Sequence, residues 1–338
     1  MAEKKLLLGD EAIALGAIHA GISGVYAYPG TPSTEITEFI QKNPLAKERK
    51  LHSTWCTNEK TAMEAALGMS YAGKRALVCM KHVGMNVAAD AFVNSAITGV
   101  NGGLVVLAAD DPSMHSSQNE QDSRFYGKFA MLPILEPSSQ QEAYDMMGYA
   151  YTLSEKMKLP VLMRVVTRLA HSRAGVEVAD IREENQLKPD HERAHWVLLP
   201  GNARKQYLDL VEKQEELEES SSKSPYNYVE GLNPEYDYEF GVIACGIGYN
   251  YVKEADTDGC HIPVLKISQY PLPAEEIRTM AECCGHVLVV EDGQPFVEEQ
   301  VKAILSSDYE IKGRLTETLP RTCLLYTSPS PRDISGSR

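Results

Sequence analysis

The chain has no C-x-x-C pair. Its seven cysteines, at positions 56, 79, 245, 260, 283, 284 and 323, are an odd number without metal or cluster spacing. That pattern supports neither a disulfide framework nor a zinc or iron–sulfur site. Positive charge is also scarce, with 33 Lys and Arg against 47 Asp and Glu and a net charge of −14 at pH 7. Nucleic acid and anionic membrane surfaces need clustered Lys and Arg, so neither is expected as a partner, whereas a small molecule or a protein is. Long apolar runs are missing too. Leu6, Leu7 and Leu8 begin one, but Asp10 and Glu11 interrupt it short of a signal-peptide core, and no stretch approaches the ~20 apolar residues of a membrane span. The expected location is the cytoplasm.

What remains is ordinary globular material. The 338 residues, 43% hydrophobic and 24% charged, suggest two domains at ~150 residues each. The first half alternates strand and helix. Asp10 is a candidate N-cap for a helix ending at His19, residues 25–28 are a strand, and PGTPS at 29–33 is a turn opening a helix with Ile36, Phe39 and Ile40 inward. Further on come a helix over 87–97, a strand over 104–109, an irregular loop over 110–128, a helix over 139–158 and a strand over 161–166. Such alternation predicts a parallel sheet covered on both faces. Residues 177–239 are rich in Glu, Lys, Asn and Ser and read as a connector, with an amphipathic helix near 204–217 and polar punctuation from Ser220. A second α/β unit opens at Phe240 with a strand over 241–245, and its further strands and helices follow a Gly246-Ile247-Gly248 turn. The expected fold class is therefore α/β, two doubly wound and mostly parallel units at residues 1–176 and 240–322. The Ser/Pro/Arg-rich residues 323–338 have no apolar period and are set apart as a non-native tail that resembles a translated sequencing adapter.

The most informative stretch is residues 52–86, which read as strand, helix, strand, with Glu59 where the first strand hands over to the helix. In an open α/β sheet that is the carboxyl edge, where ligands bind. An acid in the first turn of a helix also suits the helix dipole, so the alternative reading of Glu59 is a helix starter. The glycines at 246 and 248 lack the third glycine of a dinucleotide fingerprint, Tyr251 standing in its place, and no acid ends the following strand. They are read as a turn.

Three motifs in order, YPGTPS at 28–33, TNEK at 57–60 and MKHVGMNVAAD at 80–90, resemble the pyrimidine-binding domain of the thiamine diphosphate-dependent 2-oxoacid:ferredoxin oxidoreductases, most of all the α subunits of the indolepyruvate type. The resemblance extends over the connector and over the second unit, which is similar to a transketolase C-terminal domain. It implies thiamine diphosphate as cofactor, contacted here through its pyrimidine half. In that family a carboxyl group hydrogen-bonded to the pyrimidine N1′ favours the tautomer that removes the thiazolium proton, and by resemblance Glu59 is that acid. Tyr28, Pro29, Gly30 and Asn86 are the further cofactor-binding candidates. Thr31 matches a position whose hydroxyl faces the 2-oxoacid, its alternative being a helix N-cap. Lys81 and His82, read as the end of a strand, are candidates to bind the substrate carboxylate or to steady the pyrimidine, and Arg124 is read as a bidentate carboxylate clamp; solvated surface is the alternative for all three.

The implied reaction is oxidative decarboxylation of an aryl 2-oxoacid, with coenzyme A and ferredoxin as further partners and with a β subunit and a second α subunit in the assembly. Mg²⁺ and [4Fe–4S] clusters are expected only in a missing C-terminal part, because neither a Gly-Asp-Gly/Ser…Asn motif nor cluster cysteines occur here, so this stretch alone is expected to be inactive and no metal ligand is assigned. The alternatives are another 2-oxoacid:ferredoxin oxidoreductase, a non-oxidative thiamine decarboxylase, or a non-catalytic binding or assembly module.

Overall fold

The computed structural model describes residues 3–255 and 262–320. Cys260, Cys323 and the whole of residues 323–338 lie outside the described residues. Continuous apolar runs make the centre of the molecule. Ala76–Lys81, Leu104–Asp110 and Val161–Val166 are buried almost throughout because helices cover both of their faces. They are the middle of a seven-stranded sheet whose order is Gln269–Tyr270, Ile134–Leu135, Val161–Val166, Leu104–Asp110, Ala76–Lys81, Gly24–Ala27, His52–Trp55. All neighbours are parallel except Gln269–Tyr270, which runs antiparallel to Ile134–Leu135. Helix Gly9–His19 packs on Gln140–Met157, as Glu59–Tyr71 packs on His82–Thr98. The first pair approaches closely at Gly16, where an added Cβ would stand 2.4 Å from the Tyr144 carbonyl oxygen.

A second sheet of five strands has the order Glu310–Lys312, Cys284–Val290, Tyr238–Cys245, Val264–Ile267, Tyr228–Glu230, with only the last antiparallel. Lys4–Leu8 and Arg173–Glu177 pair separately as an antiparallel ribbon. The α/β class holds, and the glycine turn at 246–248 is explained by packing. A Cβ at Gly246 would meet Glu136 Cγ at 2.6 Å, and one at Gly248 would meet the Val290 carbonyl oxygen at 2.7 Å.

Several expectations are corrected. The stretch read as a connector holds both the strand Tyr228–Glu230 and a helix, Pro200–Ser222, longer than its amphipathic centre. Its serines are not punctuation, since Ser221 is buried and its Oγ donates to the Gln269 carbonyl at 3.0 Å. Gln269–Tyr270, from the second half of the chain, completes the sheet of the first. Asp10 is not an N-cap. Leu8 occupies that position and Asp10 lies wholly buried in the first turn, where burial, with Glu35 and Glu11 adding to it, pushes its carboxyl well above the ordinary range. The loop after Asp110 contains a helix, Arg124–Ala130, and His82 begins a helix rather than ending a strand.

Candidate active site

Strand His52–Trp55 passes into helix Glu59–Tyr71 through a short turn fixed at Asn58. Asn58 Oδ1 accepts from the Thr61 amide at 2.9 Å, while Thr61 Oγ1 accepts from the Asn58 amide at 3.3 Å. This reciprocal cap sets the first helical residue at Glu59. Glu59 is only 9% exposed and leans on Gly84 in the first turn of the neighbouring helix. A Cβ at Gly84 would stand 2.6 Å from Glu59 Cγ and 2.7 Å from its Oε1, so the glycine leaves the space that the carboxyl group fills. No donor among the described residues hydrogen-bonds to that carboxylate.

Register brings the other candidates to the same edge. Ala27 lies opposite both Trp55 and Cys79, so the residues following three adjacent parallel strands emerge side by side. Tyr28, 40% exposed, and Pro29 follow the first strand on the surface. Gly30 lies against Lys81, where an added Cβ would stand 3.2 Å from Lys81 Cβ. The turn is tied by Ser33 Oγ donating to the Gly30 carbonyl and by the Gly30 amide donating to Thr34 Oγ1, both at 2.8 Å. Thr31 is exposed and does not cap the helix, since the N-cap position belongs to Ser33. Lys81 Nζ reaches the Ser116 carbonyl at 3.4 Å. Asn86 is exposed, and its Oδ1 accepts a hydrogen bond from the Tyr126 hydroxyl.

Two candidates are elsewhere. His82 is buried, with Nε2 3.2 Å from the Asn119 carbonyl oxygen, so it holds the following loop and is not presented to a carboxylate. Arg124 is 0% exposed and is no clamp for a ligand. Its guanidinium meets Asp122 (Nε–Oδ1 2.9 Å), Glu291 (Nη1–Oε2 3.0 Å) and Glu136 (Nη1–Oε2 3.6 Å), and it donates to the Gln294 carbonyl at 3.1 Å. Arg164 lies alongside, with Asp110 Oδ2 2.7 Å from its Nε and with Glu136 as a second partner. Desolvation pushes Asp122 up, but the Arg124 and Arg164 guanidiniums outweigh it and hold the carboxyl at about 2. Glu291 is pushed the other way by burial, to about 7, against the pull of Arg124.

Many polar groups of the loop between Asp110 and Arg124 are engaged internally. Asp111 accepts from the Ser116 amide at 2.8 Å, Ser117 Oγ at 2.6 Å and Thr167 Oγ1 at 2.9 Å. Burial raises its carboxyl, and these hydrogen bonds more than reverse that and bring it below the usual range. Sequence reasoning missed Gly84 and Tyr126. A glycine in the first turn of a helix, where alanine would be the better helix former, was the available signal for Gly84.

The fold and this edge define an α/β protein whose parallel strands open onto a polar carboxyl edge of the kind that binds ligands. The family described as pyruvate flavodoxin/ferredoxin oxidoreductase, thiamine diphosphate-binding, matches residues 15–229, and the chain belongs to it. More particularly, the chain is 45% identical over 324 residues to the indolepyruvate oxidoreductase subunit IorA of Archaeoglobus fulgidus, covering 94% of this chain and 51% of that relative. It is 41% identical over 342 residues to the subunit of the same name from Methanothermobacter marburgensis, covering 99% of this chain and 54% of the relative. The chain thus spans about half the length of the curated relatives it matches. In structure it is similar to a 2-oxoglutarate:ferredoxin oxidoreductase from Magnetococcus marinus, with a TM-score of 0.76 at 16% identity over 92% of this chain and 62% of that one. A split-gene transketolase is similar at a TM-score of 0.57 and 13% identity, covering 91% of this chain and 88% of that one. At these identities the two structures speak for the fold alone.

Proposed function

We propose that this chain is the pyrimidine-binding part of an indolepyruvate:ferredoxin oxidoreductase, which oxidatively decarboxylates aryl 2-oxoacids to acyl-CoA and passes the electrons to ferredoxin. The observation that carries the reading is Glu59, a nearly buried carboxylate at the carboxyl edge that no donor among the described residues satisfies, resting on a glycine that makes room for it. A carboxylate so placed suits a ring nitrogen that shares a proton with it. Thiamine diphosphate, when bound, supplies the nucleophilic carbon and the electron sink for decarboxylation.

The protein's part is binding and proton placement. Glu59 holds the proton at the pyrimidine nitrogen, and Tyr28, Pro29 and Gly30 form the adjoining rim. Asn86, its oxygen occupied by Tyr126, keeps its amide nitrogen as a donor. Thr31 and Lys81, both at the same edge, are the groups proposed to meet the 2-oxoacid. Indolepyruvate as substrate is supported by the names of the relatives, and coenzyme A by the Magnetococcus protein, whose structure was solved with 2-oxoglutarate, coenzyme A and succinyl-CoA bound. A β subunit and a second α subunit are the proposed protein partners. Mg²⁺ and the [4Fe–4S] clusters are proposed for the part of the full-length protein that this chain does not span.

The test is Glu59→Gln in the full-length enzyme with its β subunit, assayed by indolepyruvate-dependent reduction of ferredoxin or a viologen dye. Loss of about 100-fold or more in kcat is expected with the melting temperature kept, the size usual for a proton-transfer group. Turnover close to that of the unsubstituted enzyme would sink the assignment.

A further inference from the structure

Away from Glu59, three side chains from separate parts of the first unit converge. Asp10 comes from the first turn of helix Gly9–His19, Glu35 from the first turn of Thr34–Lys42, and His171 from the end of Thr167–His171. One ligand atom from each lies within 4.8 Å of the other two, and His171 Nε2 is 3.9 Å from Glu35 Oε1. Asp10 is 0% exposed, and neither of its carboxylate oxygens has a hydrogen-bond partner among the described residues. Glu35 Oε2 is likewise enclosed and unpartnered. Buried carboxylate oxygens without donors are costly, so the fold has placed acceptors around something that must satisfy them.

We infer that Asp10, Glu35 and His171 form a binding site for a first-row divalent cation. Ligand atoms bound at about 2.0–2.2 Å from a tetrahedral ion stand roughly 3.4 Å apart. His171 Nε2 and Glu35 Oε1, at 3.9 Å, are near that separation, and rotation of the half-exposed Glu35 and His171 side chains closes the remainder toward Asp10. Two carboxylates with one imidazole select an ion such as Mn²⁺ or Zn²⁺ over the all-oxygen preference of Ca²⁺. The site has an entrance. His171, 38% exposed at its side chain, forms part of the wall of a cleft of about 520 Å³ between the two units, lined also by His115, Asn250 and Tyr251. Water entering by that route completes the coordination that three protein ligands leave open.

The ion would join three elements that the sequence keeps far apart. Glu35 stands four residues after Thr31, so a bound cation fixes the start of that helix, and with it the turn at the carboxyl edge, to the segment that follows strand Val161–Val166. The site does not involve Glu59, and its test does not depend on the oxidoreductase reading.

The probe is Mn²⁺ added to the purified 338-residue chain after removal of metal with a chelator, with bound ion counted from the loss of the free Mn²⁺ resonance. One ion per chain is expected, displaced by Zn²⁺. His171→Gln and Glu35→Gln, at half-exposed positions where the fold tolerates the change, are expected to weaken uptake at least tenfold each with unchanged circular dichroism. Asp10→Asn is expected to do the same, and if that buried substitution fails to fold the two rim variants still decide. Absence of saturable uptake, or uptake undiminished in either rim variant, would overturn the site and leave shared protons as what fills the gap between the carboxylates.

Discussion

Glu59 owes its position to a residue that does nothing chemical. Gly84 costs its helix stability, because glycine in a helix interior is less favourable than alanine by about 1 kcal/mol. What it provides is space, since the Glu59 carboxyl occupies the volume where a Cβ would be. Gly84→Ala is therefore expected to leave the melting temperature of this chain unchanged or slightly raised, while displacing a flexible side chain that can swing aside. In the full-length enzyme the same substitution is expected to lower kcat at least tenfold for indolepyruvate-dependent dye reduction. A stable variant with full activity would show that the carboxylate does not need that position. The same logic explains which site residues were legible from the sequence. Glu59 could be found because its cap and its strand-to-helix turn are local, within Asn58 to Thr61. Arg124 could not, because the partners that bury it, Glu136 and Glu291, are 12 and 167 residues further along the chain.

At the scale of elements, legibility followed length and apolar continuity. Strands such as Leu104–Asp110 announce themselves through unbroken burial, whereas Ile134–Leu135 and Gln269–Tyr270 are two residues long and offer no period to read. What holds Gln269–Tyr270 in place is also invisible in the sequence. Asn227, buried after helix Pro200–Ser222, accepts at Oδ1 from the amides of Ser268 (2.7 Å) and Gln269 (2.9 Å). Its Nδ2 donates to the Gln269 carbonyl at 2.9 Å and the Ser221 carbonyl at 3.1 Å. One amide thus fastens the helix to the edge of the sheet. Asn227→Ala takes the acceptor from two buried amides, while the Gln269 carbonyl keeps Ser221 Oγ and the Ser221 carbonyl keeps the Ser224 amide. At ~1–3 kcal/mol for an abandoned buried group the expected loss is about 2–4 kcal/mol in urea denaturation. A change under about 0.5 kcal/mol, the usual range for surface substitutions, would mean that water replaces the side chain there.

For the molecule as a whole, the two units share one apolar core, and a buried set of charges lies within the junction. Asp110, Asp122, Glu136, Glu291 and Asp292 face Arg124, Arg164 and Arg314, all of them buried, and the carboxylates outnumber the guanidiniums. The excess is eased at Glu291, whose carboxyl is pushed up to about 7 by burial. Its ordinary value is 4.5, so between about 4.5 and about 7 the folded protein keeps a proton that the unfolded chain has released. Stability from this group is complete below that window and is lost as pH rises through it. Melting temperatures of the unsubstituted chain are expected to fall between pH 4.5 and 7 relative to those of Glu291→Gln, and parallel profiles would show that Glu291 titrates normally. Gly293 has no room for a side chain beside these charges, since its φ is +106° and a Cβ would stand 2.7 Å from both Arg164 Nη2 and Asp122 Oδ2.

The shared sheet edge also sets a schedule for the ribosome. When residue 176 has left the exit tunnel, six of the seven strands of the first sheet exist, but the seventh, Gln269–Tyr270, is still unmade. Arg124 at that moment has Asp122 and Glu136 but not Glu291. The nascent first unit therefore waits with an open strand edge and an incomplete set of charges until more than 110 further residues have been translated. At ~5–20 residues per second that is roughly 6 to 23 seconds, a period in which the Ile134–Leu135 edge is the place for a chaperone to cover.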